Sequence, residues 1–159
     1  MKRTLTPRQA LVKLEELCSR SEQCSYDVKQ KLFKWGIPAD AAAKIIDSLV
    51  ATRYIDDRRF ALAYTRDKYI FARWGRKKIA NGLYAKRIDR SLIDSALASI
   101  DNREYAQIAF KVIIAKLRTL SDQLQPFEKR QRLMRFGISR GYETSLIIKI
   151  LESRKLWEQ

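Results

Sequence analysis

The chain's 159 residues are 46% apolar and 32% charged with a net charge of +15, which suits one ordinary domain or a short array of helical units drawn to nucleic acid, an anionic membrane or an acidic protein surface. The absence of His and the presence of only Cys18 and Cys24 exclude a Ser-His triad, a zinc site and a disulfide framework, and fit reduced thiols in the cytoplasm. No run reaches the ~20 apolar residues of a membrane span, and the opening MKRTLTPRQA lacks the apolar stretch of a secretory signal.

Helical periodicity runs throughout, and no segment alternates as a strand does. After a tail at 1–5, Thr6-Pro7 makes a cap and first helical position, followed by Ala10, Leu11, Leu14, Leu17 and Cys18 on one face. Ser25 can cap the next helix, which carries Val28, Leu32 and Phe33. That helix ends at Trp35-Gly36, where glycine suits a left-handed residue. Pro38 opens a third helix with Ala42, Ile45, Ile46 and Leu49 facing inward.

The pattern then recurs. Laying Leu32 over Leu83 also lays Val28 over Ile79, Ile37 over Ile88 and Leu49 over Ile100. Laying Leu32 over Leu133 brings Trp35-Gly36-Ile37 onto Phe136-Gly137-Ile138; one inserted residue then brings Ile45, Ile46 and Leu49 onto Ile147, Ile148 and Leu151. The preceding helices recur more loosely, as Ala10-Leu11, Ala61-Leu62 and Ala106–Phe110. The chain reads as all-α, with three tandem three-helix repeats at 6–55, 56–101 and 102–159. Units stacked end to end bury only their neighbours' faces, so an elongated and slightly flexible shape is expected; a monomer is expected as well, though not from this spacing.

Little in the chain suggests catalysis. The adjacent carboxylates Asp56-Asp57 read as a helix cap before Phe60, since consecutive residues cap readily but seldom converge on one ion. Cys18 falls on an inner face as a small core hydrophobe. The five glycines are dispersed and form no phosphate loop. No catalytic residue, metal or cofactor is assigned. An enzyme acting on nucleic acid would need a carboxylate cluster that only tertiary structure could assemble.

Binding is another matter. Residues 66–90 hold nine Lys/Arg against two carboxylates, with Tyr69, Phe71, Trp74 and Tyr84 among them. Arg76-Lys77-Lys78 opens a helix, where each cation opposes the macrodipole by roughly 0.3–1 kcal/mol. That misfit points to something anionic against the turn. Ile79 and Leu83 face inward there, Lys77, Lys78, Asn81 and Tyr84 outward, and Arg76 and Arg87 flank the apolar stripe. The plain alternative is a solvated basic face. Tyr69, Phe71 and Trp74 cannot share one narrow face, so at least one packs in the core while another is free to stack on bases or fill a protein pocket. A second basic helix start, Lys129-Arg130-Gln131-Arg132, continues to Arg135 and Arg140, with Glu128 partly offsetting it. The candidate contacts are Arg73, Arg76, Lys77, Lys78, Tyr84, Lys86, Arg87 and Arg90, then Lys129, Arg130, Arg132 and Arg135.

These residues resemble the RecX family of bacterial recombination regulators over positions 6–156. The resemblance rests on Tyr54-Ile55-Asp56-Asp57-Arg58-Arg59-Phe60-Ala61, then Gly75, Lys78-Ile79, Leu83, Lys86 and Ile88. The family's opening Ser-x-x-Glu-Leu-x-x-Lys-Leu is matched by Ser25, Lys31 and Leu32, with Val28 in place of Glu or Asp27-Val28 standing for Glu-Leu one position early, and its closing Gly-Phe-Ser by Gly137-Ile138-Ser139. It implies a curved array of three-helix repeats that binds within the groove of the RecA–DNA filament and suppresses ATP hydrolysis and strand exchange in recombinational repair. The competing reading is a DNA-binding or architectural protein of helix-turn-helix-like units, without sequence-specific readout because no helix clusters base-reading Asn, Gln and Arg.

Overall fold

The computed structural model describes residues 4–154, and all regular structure among them is α-helical. In order the helices are α1 (Pro7–Arg20), α2 (Ser25–Lys34), α3 (Ala39–Ala51), α4 (Asp57–Ile70), α5 (Arg76–Ala85), α6 (Arg90–Ala98), α7 (Asn102–Leu117), α8 (Pro126–Ser139) and α9 (Thr144–Arg154). Part of the tail at 1–5 and the positions beyond 154, in both the third repeat and the family resemblance, lie outside the described residues.

Capping follows residue chemistry, with one shift. Thr6 accepts from the Gln9 amide while the Gln9 side chain accepts from the Thr6 amide, and Pro7 sits at the first helical position. The cap of α2 is Cys24 rather than Ser25: its Sγ accepts from the Asp27 amide, and Ser25 is already helical. The Ser25 amide is taken by Asp57 Oδ1 at 2.9 Å. Asp56 caps α4 by accepting from the Arg59 amide at 3.0 Å. The two adjacent aspartates thus serve two different helix starts.

Packing divides the described residues into two units, one formed by 4–63 with Leu83–Ala96 and the other by Tyr64–Gly82 with 97–154. The first is built on Ala10, Leu14, Val28, Leu32, Ile37, Ala42, Ile45, Leu49 and Ile55, with Cys18 partly buried against them. In the second, Ile79, Ala109, Ile113, Leu133, Ile147 and Leu151 are wholly buried, and the Tyr105 and Tyr142 rings meet at 5.6 Å.

The turns that end α2, α5 and α8 set the register of the recurrence. Each has one left-handed residue, Gly36 (φ 73°), Arg87 (φ 57°) and Gly141 (φ 91°). The next amide then donates back five residues, from Ile37 to Leu32 O, Ile88 to Leu83 O and Tyr142 to Gly137 O. Eight residues before the left-handed position, Val28, Ile79 and Leu133 are all 0% exposed. Leu32 and Leu83 therefore correspond, as the sequence predicts, but the counterpart of Leu32 in the third repeat is Gly137, not Leu133. Gly137 lies inside α8, so that sequence register is one helical turn out. The missing side chain leaves room for Ile147 and Ile113, whose Cδ1 atoms would press on any Cβ there. Tyr142 fills the place held by Ile37 and Ile88.

Three arginines occupy left-handed positions, Arg53, Arg73 and Arg87, where a Cβ costs about 1–2 kcal/mol. Arg53→Gly should raise stability by about 0.5–1 kcal/mol, whereas Gly36→Ala should lower it; urea midpoints of the two variants check the opposite signs. Burial pushes Tyr142 up to about 12, Cys24 up to about 11, and Tyr105 higher still. These groups hold their protons longer folded than unfolded, so their stabilisation is whole below pH ~9 and is lost as pH rises towards ~12. Urea unfolding at pH 8 and pH 10.5 should show that decline, shallower in Tyr142→Phe.

Candidate nucleic-acid and protein interface

In the second unit the amide start of α5 meets the carbonyl end of α8. The Gly75 amide donates to Arg140 O at 2.8 Å, the Lys77 amide to Gly141 O at 3.1 Å, and the Arg76 amide to Tyr105 Oη at 2.9 Å. Three of the four donors that a helix start leaves open are thereby taken. The approach requires glycine on both sides: a Cβ on Gly75 would overlap the Gly141 carbonyl and the Tyr142 amide, and one on Gly141 would run into Lys78.

The acceptors for these amides are therefore internal, two backbone carbonyls and a phenol oxygen. Tyr105 Oη donates in turn to Glu143 Oε2 at 2.8 Å. Arg76 lies 4.0 Å over the Tyr105 ring, pairs with Glu143 at 3.4 Å, and donates to Asn102 Oδ1 at 2.6 Å. Burial, reinforced by the Glu143 bond and only partly offset by Arg76, holds the Tyr105 phenol above its ordinary range, so the hydroxyl stays a donor. Arg76 is thus a positioning residue as well as a candidate contact.

Its neighbours differ. Lys77 is exposed. Lys78 is half-buried with Nζ 4.7 Å from the Trp74 ring, and Lys68 reaches the same ring at 4.8 Å. Tyr69 is buried and donates to Glu104 at 3.1 Å, while Phe71 is 77% exposed. The aromatics therefore divide between core and surface as their spacing requires. Arg73 is exposed, and its carbonyl accepts from Tyr142 Oη at 2.8 Å.

Of the α8 residues, Arg132 and Arg135 are exposed, Arg130 is half-buried, and Lys129 is buried at 8% exposure. The two basic helix starts do not converge. Arg140 at the far end of α8 meets α5, whereas Lys129 lies eleven residues earlier, or ~16 Å along the axis. Two adjoining hollows between α7 and α8 are lined by Lys116, Arg132, Arg135 and Phe136 and by Arg73, Lys116, Phe136 and Arg140. The sequence reading passed over Lys116; its place on the α7 face across from Arg132 and Arg135 depends on how the two helices pack.

In the first unit, Lys86 pairs with Asp27 at 2.6 Å and lies over the Phe60 ring. Arg87 is exposed, 6.0 Å from the Tyr26 ring. Arg90 is exposed beside Asp94 at 3.8 Å, and Tyr84 is 49% exposed. Among the described residues no group of three or more His, Cys, Asp or Glu could hold a metal ion, and no helix is long and apolar enough to cross a membrane.

Comparison with known proteins agrees with this architecture. Residues 56–97 match the model of the RecX second three-helix domain and residues 103–151 that of the RecX third three-helix domain, more than half of the chain between them. A regulatory protein RecX of Mycolicibacterium smegmatis is 31% identical over 123 residues, covering 76% of this chain. The chain spans 65% of that relative's length. One from Clostridium botulinum is 27% identical over 150 residues, covering 91% of this chain and 70% of its own. A crystal structure of a regulatory protein RecX superposes with a TM-score of 0.84 at 23% identity, covering 92% of this chain and 73% of that one. RecX from Lactobacillus salivarius does so with 0.78 at 19%, covering 94% and 97%. The chain belongs to the RecX family.

Proposed function

We propose that the chain is a non-enzymatic regulator that binds the RecA–DNA filament as a monomer and lowers its ATP hydrolysis and strand exchange. The observation that carries this reading is the ordered match of its second and third three-helix domains to a family whose relatives are named regulatory proteins. The sequence repeats 6–55, 56–101 and 102–159 are its modules, and it acts in the cytoplasm, where RecA and DNA are found.

The cations support docking on an anionic assembly. In the second unit Lys77 is exposed and Lys78 is held against Trp74, so both present charge without an internal carboxylate partner. In the first unit Tyr84, Arg87 and Arg90 are exposed. Lys86 and Arg76, with acidic partners already beside them, contribute field and position more than new hydrogen bonds. Arg suits bidentate carboxylate or phosphate, while Lys supplies a point charge.

Lys77→Glu/Lys78→Glu should keep the helical circular dichroism and urea midpoint of the parent. It should also need about tenfold more protein, or greater, to half-inhibit the ATPase of RecA filaments. Parent-like inhibition by the folded variant would remove this face from the interface. Co-precipitation with RecA, with and without single-stranded DNA, separates a filament regulator from a protein that binds DNA alone.

A further inference from the structure

We infer that the furrow between α7 and α8, which runs along α8 away from the start of α5, is a binding track for single-stranded nucleic acid. The inference deepens the filament reading by assigning the DNA strand to a surface of its own. Five cations, Arg73, Lys116, Arg132, Arg135 and Arg140, line two hollows that share Lys116 and Phe136, and neither lining contains an Asp or Glu. No ion pair within 4.0 Å joins any of these five to a carboxylate among the described residues. A run of uncompensated positive charge repels itself, so an anion brought to it gains from every cation present.

The furrow is shaped for a strand rather than a lone ion. Arg132, Arg135 and Ser139 follow one another at i, i+3 and i+7 on α8 and line the first hollow, which makes them a row along one helix face. Arg140 and Arg73 continue the row in the second hollow. Arg140 is held there by donating to the carbonyls of Ala72 and Arg73. From Arg132 to Arg140 the row runs ~12 Å along the helix axis, long enough for more than one phosphate of a strand to meet it.

Aromatic rings suit unpaired bases. Phe136 lines both hollows, with Lys116 Nζ 5.1 Å from its ring. Phe71, 77% exposed, stands two residues before Arg73. Bases of a single strand can stack on such rings, whereas those of a duplex are already stacked on each other.

The test is fluorescence anisotropy of a labelled twelve-nucleotide oligothymidylate with the full chain and no RecA, at several salt concentrations, beside a duplex of the same length. The parent should bind the single strand more tightly than the duplex. Arg132→Glu/Arg135→Glu, both on exposed positions, should weaken binding at least tenfold in 50 mM salt. The neutral pair Arg132→Gln/Arg135→Gln should reduce the salt slope by about 1.4, two phosphate contacts at ~0.7 each.

Three results would overturn the track: no binding by the parent, tighter binding to the duplex, or parent-like binding and slope in the folded variants. A fourth is displacement of the oligonucleotide by poly-glutamate at equal charge concentration, which would assign the furrow to an acidic protein surface. Assays of RecA ATPase keep the two readings apart. DNA binding through the furrow without any effect on RecA removes the filament regulator and leaves the track. RecA inhibition by a parent chain that binds no DNA on its own does the reverse.

Discussion

In the second unit everything near the α5 start depends on one close backbone approach, that of Gly75 to Gly141. It sets the carbonyl end of α8 against the amide start of α5, so that the partial charges of two helix termini meet with opposite sign. Once those amides are taken by Arg140 O and Gly141 O, the cations that follow are less costly than on an isolated helix. Arg76 is then drawn towards Glu143 and the Tyr105 ring, and Tyr142 reaches the Arg73 carbonyl. The helix start that looks electrostatically misplaced in isolation is complemented once α8 is in place.

The same approach separates the cations by role. Arg76 donates to Glu143 and Asn102, and Arg140 donates through one nitrogen to the Ala72 and Arg73 carbonyls, so each is anchored with N–H donors to spare. Lys86 is likewise tied to Asp27. Lys77, Arg132 and Arg135 are exposed, and none of them pairs with a carboxylate among the described residues. A net charge of +15 is therefore neither spread evenly nor wholly available. What matters for recognition is which N–H donors have been left without an internal acceptor, because only those gain a full charge-assisted hydrogen bond from a partner.

Left-handed residues illustrate a related economy. The three middle helices end in one turn geometry, yet glycine occupies the left-handed position in two of them and arginine in the other. The turn is set by the bond from the following amide back to Leu32, Leu83 or Gly137 and by burial of Ile37, Ile88 or Tyr142. Those interactions outweigh the ~1–2 kcal/mol penalty at Arg87. The position also holds that guanidinium outward, which a glycine would not supply.

Helix content, most caps, and the first two steps of the recurrence follow from local chemistry: apolar spacing, Thr6-Pro7, Asp56, and the pairs Val28/Ile79 and Leu32/Leu83 are legible without any tertiary contact. The third step is not, because Gly137 replaces a leucine and the lost volume is made up by Ile113 and Ile147 from other helices. No one-dimensional alignment of apolar residues registers a glycine as a core position. The basic residues are equally divided. Their number and order belong to the sequence, but whether a given cation faces Glu143, a carbonyl or solvent was decided only when α5, α7 and α8 packed, since electrostatic partnership depends on distance in space and not along the chain.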